Sequence, residues 1–306
     1  MGKVTTFREM FSTNDGRPSA QFNNGGSPSI SGWDTSSATA SYTMRAMFAG
    51  CYRFNQPLDG WDVTGVTDMA YMFQNCEAFD NGGSTGINNW RPSSCTSMFQ
   101  MFKGCTGLDQ PIGDWDTSSV TTMSNMFNNA TRFNQPIGNW DVSNVTSFEN
   151  MFYHNFQTGP ERISLFNQDI GAWDVSKVTT MRKMFYDQYG GYHEFNNGGS
   201  DSIKDWNTSS LTDIREMFSS RANPGPFDQP LTNWVVTNIT QASSFLNNQK
   251  LSTTNYDSTL SGWHSQAVQN GVNISFGQAQ YSTATGLAFR NALVASGWTI
   301  TDGGAV

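Results

Sequence analysis

The stretch Phe133–Phe152, FNQPIGNWDVSNVTSFENMF, decides the fold, because the chain repeats it from end to end. Its closing pair Met151-Phe152 has counterparts at Met10-Phe11, Met47-Phe48, Met72-Phe73, Met101-Phe102, Met126-Phe127, Met184-Phe185 and Met217-Phe218, with a worn copy at Phe245-Leu246. Its Trp140 recurs in step as Trp33, Trp61, Trp90, Trp115, Trp173, Trp206 and Trp234. From each Trp to the second residue of the next pair the distance is 12 residues in seven of eight units; only Trp33 to Phe48, at 15, departs. In the other direction, from pair to next Trp, it varies from 13 to 22. Insertions are thus confined to one half of the unit, as in stacked repeats whose core half keeps its length while loops grow on one face.

Every Met except Met1 falls on one of two positions of the unit. Met44, Met69, Met98, Met123 and Met181 hold the first, and the Met-Phe pair follows three residues on. Apolar residues at i, i+3 and i+4 predict one face of a short helical turn. Thr67, Thr96, Thr121, Thr146, Thr179 and Thr212 stand where they would N-cap it. Ile137, Trp140 and Val142 predict a short strand with one buried face, pairing with its neighbours about 4.8 Å apart. No unit buries its apolar side alone. The fold class expected is a repeat solenoid, leucine-rich-repeat-like or β-solenoid, with one short strand and one short helical turn per coil and eight to nine coils over residues 1–249. A small α/β capping module is expected over residues 250–306, reading helix 254–269, strand 272–276, helix 283–295, strand 298–301.

Aligned units form ladders. Asn or Asp follows the mid-unit aromatic (Asn55, Asp80, Asp109, Asn134, Asn167, Asn196, Asp228), and Gln or Asn comes next. Stacked amides that bond turn backbone make this an architectural row. A second row, Asp62, Asp116, Asp141 and Asp174, offers carboxylates to calcium, which takes several hard oxygens. Against this stand the interruptions Arg91, Asn207 and Val235, and the alternative that each Asp closes a turn by accepting the amide two residues on. Cys51, Cys76 and Cys105 share a position held elsewhere by Ala130, and Cys95 replaces a Val; buried free thiols are expected, with a Cys51–Cys76 disulfide within geometric reach. With no CxxC pair and three His in all, no structural zinc site is expected.

Composition narrows the function. Charged residues make up 14% and the net charge is −8, with no basic run, which excludes nucleic-acid binding by counterion release. No apolar stretch approaches a membrane span, and no signal-type apolar region follows Met1. Phosphate-cradling motifs are absent, and His193-Glu194 lies near no nucleophile motif, so neither an enzyme nor a cofactor is expected.

The unit F-N-Q-P-[IL]-x-x-W-D-V-[ST]-x-V-T-x-M-x-x-M-F resembles the repeats of BspA-like surface proteins, a divergent leucine-rich type of about 25 residues found in mycoplasma and other bacterial surface proteins and lipoproteins. The resemblance covers residues 4–246, and the tail Leu251–Gly304 is similar to the module that closes such chains. It implies a curved or straight solenoid with a role in adhesion or partner binding, and no catalytic residues.

Function is expected on the inserts. Those ahead of the mid-unit aromatic fall in three consecutive units, between Phe152 and Phe166, Phe185 and Phe195, and Phe218 and Phe227. They should raise one continuous patch carrying Tyr153, His154, Phe156, Arg162, Tyr186, Tyr189, Tyr192, His193 and Arg221, types that recur as interface anchors and sugar-stacking platforms. The expected partner is a protein or glycan at an extracellular or cell surface. The alternative is a structural subunit of a virion fibre, decoration or surface filament. It draws on the first unit, where Val4–Phe11 already follow the repeat and leave an edge for another chain to cover.

Overall fold

The computed structural model describes residues 6–12, 21–36, 42–155, 163–189, 192–221 and 224–306. Successive units meet edge to edge at the residue after the Thr. Parallel bridges run Asp68–Ser97–Thr122–Ser147–Thr180–Asp213–Gln241. At the start of this row the pairing lengthens into strands β1 (Tyr42–Thr43) and β2 (Val66–Asp68). The Thr residues reinforce the row instead of capping a helix. The amide and hydroxyl of Thr121 both donate to the carbonyl of Thr96, at 2.9 and 3.0 Å, and Thr146 repeats this on Thr121.

The expected helical turn is not formed. In the segment Met123–Phe127 a helix would send the Phe127 amide to the Met123 carbonyl; it goes instead to Met151 of the next unit, at 2.9 Å. Asn125, with φ 59°, is left-handed, and the Met126 amide closes a tight turn on Met123 at 3.0 Å. Alternate amides thus bond the next unit and the rest fold back into the turn. The same left-handed residue precedes every pair, as Ala46, Tyr71, Gln100, Asn150, Lys183, Glu216 and Ser244. A turn of this kind places i, i+3 and i+4 on one side just as a helix does, so the apolar spacing does not separate them. The expected strand over residues 137–142 is likewise replaced. Two turns flank its end, Trp140 onto Ile137 at 3.1 Å and Val145 onto Val142 at 2.8 Å, although Ile137, Trp140 and Val142 are buried as anticipated.

Aromatic columns fill the core. The pair Phe rings stack unit on unit at 5.4–5.9 Å from Phe11 to Phe218, and the mid-unit ring that follows a pair lies 3.8–4.2 Å from its Phe, as in Phe73–Phe79 or Phe185–Phe195. Each Trp from Trp61 on gives its indole N–H to a carbonyl of the previous unit, as Trp140 does to Ile112 at 2.9 Å and Trp173 to Ile137 at 3.0 Å. The large rings are therefore buried without an orphaned donor. The amide ladder closes the opposite corner. Asn134 Oδ1 accepts from the Asn167 amide and from Gln168 Nε2, both at 2.9 Å, and Asp80, Asp109 and Asn196 hold their successors the same way.

All four cysteines are free and buried. Cys51, Cys76 and Cys105 each donate to the carbonyl of the pair Phe one unit back, at 3.1, 3.0 and 2.9 Å, which turns the thiols along the stack and not toward one another. Burial pushes the Cys51 and Cys95 thiols up to about 12, leaving them protonated and unreactive.

A second left-handed residue follows five of the pairs, at Gly50, Asn75, Gly104, Asn129 and Asn248. At Gly104 (φ 75°) an added Cβ would lie 2.5 Å from Asn75 Oδ1. Gly104→Ala is therefore expected to cost about 1–2 kcal/mol from the left-handed strain alone, read as a lowered urea midpoint with unchanged slope.

The tail continues the stack. Helix α1 (Thr253–Trp263) begins at Ser252, whose amide and hydroxyl both bond Asp228 Oδ1, the last member of the amide ladder. Trp263 at its end donates to Leu231 O at 2.8 Å, taking the repeat's Trp position. The helix stops there and not at Gln269, because the Gln266 side chain turns back to bond Trp234 O and the Val236 amide. Strand β5 (Asn273–Ser275; β3 and β4 follow below) bridges Ala242 and pairs in parallel with β6 (Thr299–Thr301), with helix α2 (Gly286–Ala295) between them.

Candidate functional site

The inserts arise from one backbone choice. Where Gly or Asn stands two residues after the pair Phe, the chain turns left-handed and closes, as Ala130 does on Phe127 at 3.0 Å. In the three insert units that place is taken by His154, Asp187 and Ser220. There the backbone runs on extended and forms parallel bridges His154–Asp187–Ser220. His154 N bonds Tyr186 O at 2.9 Å, and Asp187 N bonds Ser219 O at 3.1 Å. The chain returns through a second short ladder, β3 (Ile163–Ser164) against β4 (Tyr192–His193), in parallel register Ile163–Tyr192 and Ser164–His193. The first two inserts thus leave by one row and re-enter by the other.

Side chains between the two rows form a closed polar cluster. His154, Asp187, Ser220 and His193 are 0, 1, 1 and 6% exposed. His154 Nδ1 lies 3.5 Å from Asp187 Oδ1, and the His193 ring meets His154 edge to face at 6.1 Å. Among the described residues, neither His193 ring nitrogen, nor Asp187 Oδ2, nor Ser220 Oγ makes a hydrogen bond. A cavity of about 10 Å³ beside His193 is walled by Phe185, Phe195, Phe218, Phe227 and Gln249. Burial, then the neighbouring His154, drives the His193 imidazole down to about 3, so it is neutral at ordinary pH. His, Asp and Ser are the residue types of a nucleophilic triad. Here the carboxylate sits in the middle of the row and Ser220 Oγ bonds neither partner, a geometry that activates no nucleophile.

The expected patch therefore divides. His154 and His193 were expected on loop surface but are buried, because the row they occupy is ladder and not loop. Tyr186, 9% exposed, is also inside; Tyr153 is half-buried, its hydroxyl bonding Gln188 and its ring 5.7 Å from Tyr186. Burial raises both phenols. Tyr189 and Arg221 are exposed, held by backbone bonds to Asp187: the Tyr189 amide to Oδ1 at 3.0 Å, the Arg221 amide to the carbonyl at 3.1 Å. Tyr192 is placed by its backbone in β4. Phe156 and Arg162 lie outside the described residues. Beside this rim the bridged face carries Arg182–Glu149 at 3.2 Å, Lys183–Glu216 at 3.4 Å and Lys183 over the Tyr186 ring at 5.0 Å.

The Asp row does turn chemistry. Oδ1 of Asp62, Asp116, Asp141 and Asp174 accepts the amide two residues on, at 2.9–3.1 Å. The Ser143 and Ser176 side chains first, and then these amides, hold the Asp141 and Asp174 carboxyls below their ordinary range. Among the described residues no three His, Cys, Asp or Glu side chains gather as a metal set.

Two signals in the sequence went unread. Gly or Asn against His, Asp or Ser after the pair marks which units open into an insert. Leu260-Ser-Gly-Trp263 repeats Ile30-Ser-Gly-Trp33 and marks the tail helix as a further unit.

A family model described as "Mycoplasma protein of unknown function, DUF285" matches three tandem segments, residues 1–85, 81–161 and 161–286. No curated protein and no solved structure matches the chain.

Proposed function

The chain belongs to the DUF285 family, and from that premise we propose that it is a repeat solenoid of the BspA-like surface type, a non-enzymatic extracellular recognition or adhesion scaffold. The coils over residues 1–249 are its frame and residues 250–306 its capping module. The observation that carries the reading is the pair of parallel ladders at residues 154, 187 and 220 and at β3–β4. They fix the bases of neighbouring inserts to a ring-stacked core and leave Tyr189 and Arg221 exposed above it. An aromatic and a cation presented on a rigid base lose little entropy on binding. No helix among the described residues is long and apolar enough to cross a membrane. The ligand class is a protein or glycan at a cell or matrix surface.

Binding to arrayed glycans and matrix proteins tests the proposal. Tyr189→Ala together with Tyr192→Ala is expected to abolish binding of any partner so found, while Tyr189→Ala alone, at an exposed ring, changes the free energy of unfolding by no more than about 0.5 kcal/mol. Unchanged binding would dispose of the site.

A further inference from the structure

We propose that the His154–Asp187–His193 cluster is an acid-sensitive latch, whose protonation releases the β3–β4 pair from the stack and with it the base of the recognition inserts. The inference rests on the recognition reading for its purpose but not for its physics.

Three features of the geometry carry it. The cluster is buried, and it lies against a short ladder. β3 and β4 share two residue pairs, extended only by Leu165 N to Thr131 O and Glu194 N to Ser164 O, both 2.9 Å. The column beneath is held by ring stacking and indole bonds in every unit, so the pair can open at lower cost than the stack. In the closed form burial and the neighbouring His154 outweigh what Asp187 and the Tyr186 backbone offer a proton on His193. Among the described residues the titratable or charged groups facing it are His154, at 6.1 Å between rings, and Asp187, and phenylalanine rings, Gly225 and the Gln249 amide wall the cavity beside it. Asp187, the carboxylate of the cluster, already lies 3.5 Å from His154, so among the described residues a proton on His193 would have no counter-charge of its own. Opening hydrates the ring and lets it take the proton. Because one pair closes two inserts, through Ile163–Ser164 and Tyr192–His193, a single protonation loosens both.

Amide hydrogen exchange on the intact chain at pH 7.0 and pH 4.5, each corrected for intrinsic rate, tests the latch. Amides at residues 163–165 and 192–194 are expected to lose protection by roughly a hundredfold at pH 4.5, the factor set by a ring that titrates near 6.5 when open and far lower when closed. Amides of the core turns at residues 137–152 should keep theirs, and His193→Leu should abolish the difference. Equal protection at both pH values, or the same acid loss in His193→Leu, overturns the proposal. If the variant does not fold, the His193 imidazole resonance of the natural chain decides: it must titrate together with the exchange, and protonation without opening overturns the proposal equally. These readouts need no ligand, so a failed partner search and a failed latch remain distinguishable.

Discussion

Trp140→Ala is expected to lower the free energy of unfolding by about 3–5 kcal/mol, the range for deleting a large buried aromatic. Trp140 is 3% exposed and stacks between units, 6.4 Å from Trp115 and 6.2 Å from Phe127. A globular core can close around part of such a cavity. Here the unit's position is fixed on both sides by the bridges Thr122–Ser147 and Ser147–Thr180, so collapse is restricted and the loss falls toward the upper end. Trp140→Phe separates the ring from its donor. It keeps part of the column but leaves Ile112 O without the 2.9 Å indole bond, and should cost about 1 kcal/mol for that bond beyond the lost area. Trp33→Ala, which removes a half-buried ring, should cost less than Trp140→Ala. Urea unfolding followed by far-ultraviolet circular dichroism reads all three. A lowered slope in Trp140→Ala, beside an unchanged one in Trp33→Ala, would show the stack splitting at the deleted unit. A loss under about 1 kcal/mol for Trp140→Ala would mean that the columns do not carry the stability ascribed to them.

The columns were legible because burial and periodicity are written in residue type. Trp, Met and Phe at fixed spacing named the core residues almost without error, and the amide ladder followed from Asn134 and its counterparts. What those residues do locally was not legible. The spacing of Met123, Met126 and Phe127 fits a helical turn and a left-handed tight turn equally well, and only the carbonyl of Met151, 24 residues beyond Phe127 in sequence, selects the turn. Thr146 looked like a cap for the same reason: its acceptor, Thr121 O, belongs to another unit. In a stack the decisive hydrogen bonds run between units, where a reading confined to one unit cannot see them. The expected patch was placed on these units by insert length, which shows directly in the sequence. Its residues were sorted wrongly because exposure depends on where the ladder ends and the loop begins. His154 and His193 fall just inside that boundary, Tyr189 and Arg221 just outside.

That buried position gives the second large effect. Stability of the natural chain is expected to fall as pH drops from about 6.5 toward 3, more steeply than in His193→Leu. The sign follows from the proton count. The unfolded imidazole titrates near 6.5, whereas in the fold burial and His154 press it down to about 3. Between these values the unfolded chain holds a proton that the folded chain does not, so acid favours unfolding. The stabilising contribution is complete above 6.5 and lost progressively below it, at up to about 1.4 kcal/mol per pH unit, or roughly 4–5 kcal/mol across the window. Asp141, Asp169 and Asp174, held below their ordinary range, add their own loss only when pH falls through that of carboxylates. The interval from 6.5 to 4.5 therefore isolates histidine. His264, half-buried just beyond the end of α1 and bonding Ser261 O, is common to both proteins, so it cancels in the comparison. Urea midpoints of the natural chain and His193→Leu, taken at half-unit steps over this interval, should diverge in slope by about one proton. Parallel slopes would place the titrating charge elsewhere and leave His193 a packed, silent ring.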